Sequence, residues 1–201
     1  GSKQADYLFE MADEKRELLR INAIENGVKT AINSQLTGDY NFSNIALAVS
    51  LGRYFKIDMA KIAKAIEDYT PTNSRSQIIK KGSNTIILDA YNANPSSMKV
   101  AIENFIQLEK ENKVAILGDM FELGHESAAE HKAIVDMLLN IENIECFFIG
   151  KDFFGNSIVK KHFHFHNTFE SFANALKNVA FKDNMILIKG SRGMALERTL
   201  E

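Results

Sequence analysis

The chain is poor in cysteine, net charge and long apolar runs, and each shortage excludes a class of protein. Its single cysteine, Cys146, cannot form a disulfide within the chain, so we expect a reducing, cytoplasmic location. A formal net charge of −2 gives no electrostatic footprint for a nucleic acid or an anionic membrane surface. No apolar run approaches the roughly 20 residues that a spanning helix needs, so we expect no membrane insertion.

A phosphate-binding loop is also missing. No G-x-x-x-x-G-K-[ST] occurs in the sequence, although that loop is a common cradle for the phosphates of ATP. The segment Gly190–Gly193 lacks the G-x-G-x-x-G spacing of a dinucleotide site. The chain begins Gly1-Ser2, which is typical of the scar left by a cleaved expression tag. We therefore expect an excised fragment of a longer protein.

The character of the sequence changes near Pro71, which predicts two domains, residues 1–72 and 73–201. In the first, Asn26-Gly27 lies between two strand-like segments and predicts a tight hairpin. Candidate strands there cover residues 7–11, 17–24 and 28–32, and candidate helices begin at Asn41 and after a capping Asp58, with apolar stripes reaching Phe55 and Tyr69.

From residue 73 onward, strand-like and helix-like segments alternate. The candidate strands are residues 85–88, 114–117, 146–149, 162–165 and 185–188. The first candidate helix begins with Asn94 as its N-cap, and the second opens with a capping box at Ser127–Glu130. A weak helix covers residues 153–160, and another starts near Thr168. This alternation predicts an α/β fold with a Rossmann-like, mostly parallel sheet and helices on both faces.

Three polar turns follow apolar runs of this second region: Asp89–Asn94, Gly118–Gly124 and Lys189–Gly193. Ligands of parallel sheets collect outside the carboxyl ends of the strands, so we expect the three turns to converge on one binding edge. A carboxylate such as Asp89 can accept two ribose hydroxyls. The last turn combines two cations with small residues, which suits a carboxylate or a phosphate.

Plainer explanations exist for several of these patterns. Aspartate and glycine often simply end strands, and we favour that explanation for one such turn but not for three on one edge. The alternating histidines of His162–His166 resemble a metal-binding face, yet an exposed edge strand is the simpler interpretation. The group His125–His131 also suggests a metal site, but a helix start with capping acids explains it more simply.

Four segments together resemble the Mur ligase family of peptidoglycan synthesis. Gly38-Asp39-Tyr40-Asn41-Phe42-Ser43-Asn44 is similar to the family's Gly-x-x-Asn-x-x-Asn run. The run Asp89–Met98 is similar to the Asp-x-Tyr-Asn-Ala-Asn-Pro-x-Ser-Met turn of the member that uses D-alanyl-D-alanine. Gly118–Gly124 and Lys189–Arg192 complete the resemblance, which covers about residues 36 to 194.

The resemblance implies a three-domain, ATP-dependent amide ligase. Such an enzyme joins D-alanyl-D-alanine to UDP-N-acetylmuramoyl-tripeptide through an acyl phosphate. Its central domain holds the phosphate-binding loop, the Mg²⁺ ligands and a carbamylated lysine, and its C-terminal domain closes over the reaction. Residues 1–72 would be the strand-and-helix tail of that central domain and residues 73–201 the Rossmann-like C-terminal domain. We then expect the fragment alone to be inactive.

The resemblance also implies roles for matched residues. Four of them would serve ATP binding. Asn44 would contact the adenine, with Asn41 holding the turn. Arg75 would meet the phosphates, and Asp89 would hold the ribose. The D-alanyl-D-alanine side of the cleft would be lined by Asn92, Asn94, Lys189, Ser191 and Arg192. Either Lys189 or Arg192 would pair with the dipeptide carboxylate. No catalytic and no metal-binding residue is assigned to this chain.

Two other functions remain open at this stage. A non-catalytic, doubly wound module that binds a nucleotide or another ligand would share the same fold, because such sheets host many functions. A scaffold whose polar turns are only structural is the third. For the ligase we expect a monomer.

Overall fold

Two units of different architecture make up the chain, and they divide after Thr72. The computed structural model describes residues 6–12, 18–72, 74–177 and 179–201. The predicted tag scar and the start of the predicted strand 17–24 lie outside these residues.

The first unit contains a three-stranded antiparallel sheet and two helices. Its elements are β1 (Tyr7–Met11), β2 (Arg20–Glu25), β3 (Val28–Asn33), α1 (Asn41–Tyr54) and α2 (Met59–Asp68). The predicted hairpin is confirmed: Glu25 pairs with Val28. The two turn residues, Asn26 and Gly27, have φ of 50° and 79°, the left-handed values that a two-residue turn requires.

Both helices of the first unit pack one stripe against the sheet. Ile45 and Val49 of α1 and Ile62 of α2 are buried in its core. Asp58 caps α2 as predicted, accepting the N–H of Ala60 at 2.9 Å. The predicted stripes are wrong at their ends, because Phe55 and Tyr69 are C-cap residues and are 71% and 53% exposed. Beyond the last helical turn, the helical period no longer sets the direction of a side chain.

The second unit is built on a six-stranded sheet. Its strands are β4 (Gln77–Lys81), β5 (Asn84–Asp89), β6 (Lys113–Gly118), β7 (Ile144–Ile149), β8 (Phe163–His166) and β9 (Met185–Lys189), in the spatial order β4-β5-β9-β6-β7-β8. All neighbours are parallel except β4 and β5. The predicted mostly parallel α/β sheet is thus confirmed, while β4 was not predicted.

Four helices cover the two faces of this sheet: α3 (Pro95–Gln107), α4 (Ser127–Leu138), α5 (Lys151–Gly155) and α6 (Phe169–Leu176). Asn94 caps α3 as predicted, and α6 starts beside Thr168 as predicted, with the Thr168 side chain as its cap. The capping box at Ser127 is wrong: a 3-10 turn, Gly124–Glu126, precedes α4, and the Ser127 hydroxyl donates to Asp152 at 3.1 Å instead. In place of the weak helix predicted for residues 153–160, the structure has the shorter α5, which starts earlier.

Separate apolar cores fill the two faces of the sheet. One contains Met98 and Phe105 of α3 and Leu138 of α4, and the other contains Phe172 of α6 and Leu196 near the end of the chain. Because the inner strands β5, β6, β7 and β9 alternate their side chains between these cores, they are mostly apolar, and polar groups follow them at the carboxyl edge. Among the described residues, no helix is long and apolar enough to span a membrane.

Candidate functional site

The three polar turns of the second unit meet at the carboxyl edge of the sheet, as predicted. Strand β9 lies between β5 and β6, and Lys189 is in register with both Asp89 and Leu117. The turns after β5, β6 and β9 are therefore neighbours in space. This edge is where open parallel sheets bind ligands.

A buried lysine, Lys189, forms an ion pair with the partly buried Asp89 at the centre of this edge. Lys189 Nζ lies 2.6 Å from Asp89 Oδ2, and their side chains are 2% and 16% exposed. The second carboxylate oxygen of Asp89 accepts the backbone N–H of Ser76 at 3.1 Å. Lys189 also donates to the carbonyl of Asn92 at 3.3 Å. The pair therefore ties the turn after β5 to the end of β9 and holds the carboxylate in a fixed orientation.

Ser191 joins all three turns. Its hydroxyl accepts the N–H of Phe121 at 2.8 Å and donates to the carbonyl of Ala93 at 3.4 Å. Its own N–H donates to the carbonyl of Asp119 at 3.1 Å. The buried Ser191 side chain is thus a structural link between the turns.

Arg75 is held against the turn after β5. Its guanidinium carbon lies 3.8 Å from the centroid of the Tyr91 ring. Its neighbours Ser74 and Ser76 have φ of 56° and 51°, which costs conformational energy in a residue other than glycine. The Arg75 side chain is exposed, so the guanidinium lies at the surface of the edge.

The remaining predicted residues of the dipeptide side have local partners. Asn92 and Asn94 are exposed. Asn94 shares a reciprocal capping box with Ser97, in which its side chain accepts at 2.8 Å and its N–H donates at 3.1 Å. Arg192 is 62% exposed and lies 3.2 Å from Glu197. Of the two predicted cations, only Arg192 reaches solvent.

A histidine and two aspartates lie together beneath the turn after β6. Ligand atoms of Asp119, His131 and Asp152 lie within 4.8 Å of one another. His131 Nδ1 contacts the carbonyl of Ser127 at 2.7 Å, which can only accept, so Nδ1 carries the proton. Its Nε2 then accepts the N–H of Met120 at 2.9 Å. The lone pair that a metal would need is therefore already in use.

Asp119 itself organises the start of α5. Its carboxylate accepts the N–H groups of Asp152 and Phe153 at 3.1 and 3.0 Å. Burial raises the pKa of Asp119 above its ordinary value, against the opposing effect of these two N–H groups. Gly150 lies beside it with φ of 122°, and a Cβ there would meet the carboxylate at 2.3 Å.

An open cleft of about 450 Å³ adjoins these turns at the ends of β6, β7, β8 and β9. Its walls carry Lys151 and Arg198 as cations and Asp119 and Glu170 as acids, with Phe121 and Phe169 as apolar surface. None of the residues assigned to ATP or to the dipeptide lines this cleft, although two of the predicted polar turns contribute Asp119, Phe121 and Gly193 to it. The cleft depends on loops after β7 and β8 that carried no recognisable motif, so sequence reasoning missed it.

The predicted residues of the first unit also meet each other. Asn41 is buried and donates to the carbonyl of Thr37 at 2.7 Å, which holds the turn before α1. Asn44, one helical turn later, donates to Asn41 Oδ1 at 3.0 Å and is exposed.

Strand β8 is an edge strand, as predicted, but it begins at Phe163, so His162 precedes it, and the alternating histidines are half-buried rather than exposed. Strand β8 is the last strand of the sheet, and His164 and His166 both stack near Phe147 of β7. Glu145 of β7, which the sequence does not place beside them, contacts His164 Nε2.

Comparison with known proteins shows which family has this architecture. The family described as "Mur ligase, glutamate ligase domain" matches residues 74–192, which include every strand of the six-stranded sheet. The chain belongs to the Mur ligase family. Two curated relatives are both UDP-N-acetylmuramoyl-tripeptide–D-alanyl-D-alanine ligases. The one from Rickettsia prowazekii is 32% identical over 80% of this chain and 36% of its own length. The one from Bacillus subtilis is 34% identical over 87% of this chain and 40% of its own length.

Solved Mur ligases share the fold of the whole chain. MurF from Acinetobacter baumannii superposes with a TM-score of 0.84 at 21% identity, covering 99% of this chain and 45% of that one. MurF ligase from Thermotoga maritima in complex with ADP gives a TM-score of 0.75 at 19% identity, covering 98% and 46%. The chain thus spans less than half the length of the relatives and structures that it matches.

Proposed function

We propose that this chain is the nucleotide- and amine-binding part of a UDP-N-acetylmuramoyl-tripeptide–D-alanyl-D-alanine ligase. The observation that carries the proposal is the turn Asp89–Met98, which stands at the carboxyl edge of the sheet with its aspartate fixed by Lys189. The curated relatives that bear this name support it. We also propose that the whole protein works in the cytoplasm as a monomer.

The proposed reaction forms an amide at the expense of ATP. The carboxylate of the UDP-linked tripeptide attacks the γ-phosphate, which releases ADP and gives an acyl phosphate. The amine of D-alanyl-D-alanine then attacks the acyl carbon, and inorganic phosphate leaves. Phosphorylation makes the leaving group good, so the protein has mainly to position the reactants and exclude water.

Four residues are proposed for ATP. Asp89 would accept hydroxyls of the ribose with the lone pairs that Ser76 and Lys189 leave free. Arg75, exposed on the Tyr91 ring, would contact the phosphates. Asn44 would meet the adenine, and Asn41 would hold the turn that presents it.

For the dipeptide, the structure favours one cation over the other. Lys189 is 2% exposed and engaged by Asp89, so we assign it the role of fixing that carboxylate. Arg192 is exposed and can exchange Glu197 for a ligand, so we propose that it anchors the dipeptide carboxylate. Asn92, Asn94 and Ser191 would shape the same side, Ser191 by holding the three turns together.

The carboxylates of this edge do not fit a magnesium site. The Lys189 ammonium lies 2.6 Å from Asp89 and would repel a divalent cation there. The Asp119 carboxylate is 2% exposed and accepts the N–H groups of Asp152 and Phe153, whereas bound Mg²⁺ usually keeps several waters in its octahedral shell. We therefore assign no Mg²⁺ ligand to the described residues and expect the Mg²⁺ ligands upstream, together with a phosphate-binding loop.

The test is phosphate release by the full-length ligase with ATP, UDP-N-acetylmuramoyl-tripeptide and D-alanyl-D-alanine. We expect Arg75→Ala and Asp89→Ala each to lower turnover by about tenfold or more, the cost of losing a hydrogen bond to a charged group. Full-length protein that forms no amide, or unchanged turnover in both variants, would overturn the proposal. The 201-residue chain alone should form none.

The anchor is tested with the C-terminal amide of the dipeptide, which lacks the negative charge. The parent enzyme should prefer the free carboxylate, and Arg192→Ala should remove most of that preference. Lys132→Ala, an exposed lysine of α4, serves as the matched control and should keep it. A preference that survives Arg192→Ala would exclude this residue as the anchor.

A further inference from the structure

The stacking of Arg75 on Tyr91 has no role in the reaction proposed above. The guanidinium carbon lies 3.8 Å from the ring centroid, well within the range of a cation–π contact. Tyr91 is 41% exposed, so its ring contributes little to the core of the unit. A half-exposed aromatic residue beneath an exposed arginine calls for another explanation than packing.

The backbone around Arg75 is fastened to the same turn on both sides. The carbonyl of Ser74 accepts the N–H of Tyr91 at 3.1 Å, and the N–H of Ser76 donates to Asp89 at 3.1 Å. Both serines keep positive φ values in this arrangement. The strained backbone fixes where the Arg75 side chain begins, and the ring of Tyr91 fixes where it ends.

We propose that Tyr91 is a positioning residue for Arg75. The inference rests on the proposed role of Arg75 as the group that meets an anion, here the phosphates of a nucleoside triphosphate. A guanidinium held over the face of a ring uses that face rather than its N–H groups for the contact, so these groups can still donate two parallel hydrogen bonds to phosphate oxygens. The ring also removes other rotamers of a long side chain before the ligand arrives, which lowers the entropy lost on binding.

The same geometry defines which variants should work. The π face, rather than the phenol hydroxyl, makes the contact, so phenylalanine should replace Tyr91 and leucine should not. Lysine should replace Arg75 poorly, because an ammonium on a flexible stem neither stacks as a plane nor donates a parallel pair of hydrogen bonds.

The first experiment measures the contact in the 201-residue chain by NMR. Ring current from Tyr91 should shift the Arg75 side-chain protons upfield in the parent and in Tyr91→Phe, and Tyr91→Leu should return them to ordinary values. The chain offers a matched control, because Arg198 lies 4.0 Å from the ring centroid of Phe169. Phe169→Leu should move the Arg198 protons and leave those of Arg75 in place. Arg75 protons that do not respond to Tyr91→Leu would overturn the inference.

The second experiment measures kinetics in the full-length ligase. Tyr91→Leu should lower kcat/KM for ATP about two- to fivefold, the range of an exposed cation–π contact, and Tyr91→Phe should retain the parent value. In an Arg75→Ala background, Tyr91→Leu should add no further loss, because the tyrosine acts only through the arginine.

The outcomes separate this inference from the proposed function. If Arg75→Ala impairs turnover but Tyr91→Leu does not, or if the two losses add, Tyr91 does not position Arg75 and only this inference fails. If Arg75→Ala itself leaves turnover unchanged, the assigned role of Arg75 fails and the positioning role fails with it, whatever the NMR spectra show.

Discussion

Replacing Lys189 with methionine should destabilise the second unit strongly. The change keeps most of the apolar stem but leaves the Asp89 carboxylate, 16% exposed, without the ammonium that lies 2.6 Å away. Removing one partner of a buried ion pair costs about 3–5 kcal/mol, because the remaining charge is uncompensated. Asp89 keeps the N–H of Ser76 and some contact with water, so we expect the lower end, about 3 kcal/mol.

A surface pair of the same length provides the control. Lys132 Nζ lies 2.6 Å from Asp136 on α4, but these side chains are 63% and 46% exposed. Lys132→Met should therefore cost only about 0.3–0.5 kcal/mol. Asp89→Asn combined with Lys189→Met removes both charges and should restore part of the stability lost in the single variant.

Cys146 supplies the assay. It is the only cysteine, it is fully buried on β7, and burial raises the pKa of its thiol to about 12. Pulsed alkylation along a urea titration therefore reports unfolding of the second unit alone, since labelling requires exposure and ionisation of the thiol. A loss of about 3 kcal/mol should lower the urea midpoint by about 1–3 M. A midpoint for Lys189→Met no lower than that of Lys132→Met would refute the energetic role given to the pair.

Two further predictions concern the rim of the sheet. Burial lowers the pKa of His166 below its ordinary value, and the charge of His164 lowers it further by a smaller amount. The unfolded chain therefore binds the proton more readily than the folded one, so the free energy of unfolding falls as the pH drops below about 6.5. His166→Gln should flatten that fall, measured by urea titrations at several pH values, and an unchanged pH profile would contradict the assignment. Gly150→Ala should cost about 3 kcal/mol or more, because alanine disfavours φ of 122° and its Cβ would lie 2.3 Å from the Asp119 carboxylate. The pulsed alkylation assay measures this loss. Gly155→Ala, whose added Cβ would meet nothing within 4 Å, should cost far less.

Local signals in the sequence predicted much of the second unit. Asn94 and Thr168 cap helices because their side chains satisfy N–H groups within three residues, and that chemistry is visible in a short window of sequence. The carboxyl ends of β5, β6 and β9 converge because parallel strands with crossovers leave no alternative. The apolar core strands follow from their uninterrupted hydrophobic runs.

What could not be predicted depends on distant partners. Ser127 looked like a helix cap, but its hydroxyl serves Asp152, which lies 25 residues away. Strand β4 carries only Ile78 and Ile79 as apolar residues before the Gly82 turn, and its pairing with β5 decides its structure. The contact of Lys189 with Asp89 spans 100 residues, so the sequence could propose both as ligand groups but could not show that they bind each other.

The position of β9 makes completion of the sheet a late event in synthesis. This strand comes last in sequence among the six strands of its sheet, yet it lies in the middle of the sheet between β5 and β6. While the ribosome is still adding residues before Met185, the half built on β4 and β5 and the half built on β6, β7 and β8 have no shared strand. The two halves can be joined, and Asp89 can be neutralised, only when β9 inserts between them. Until then both inner edges expose unpaired backbone groups, which makes this interval the one most open to aggregation.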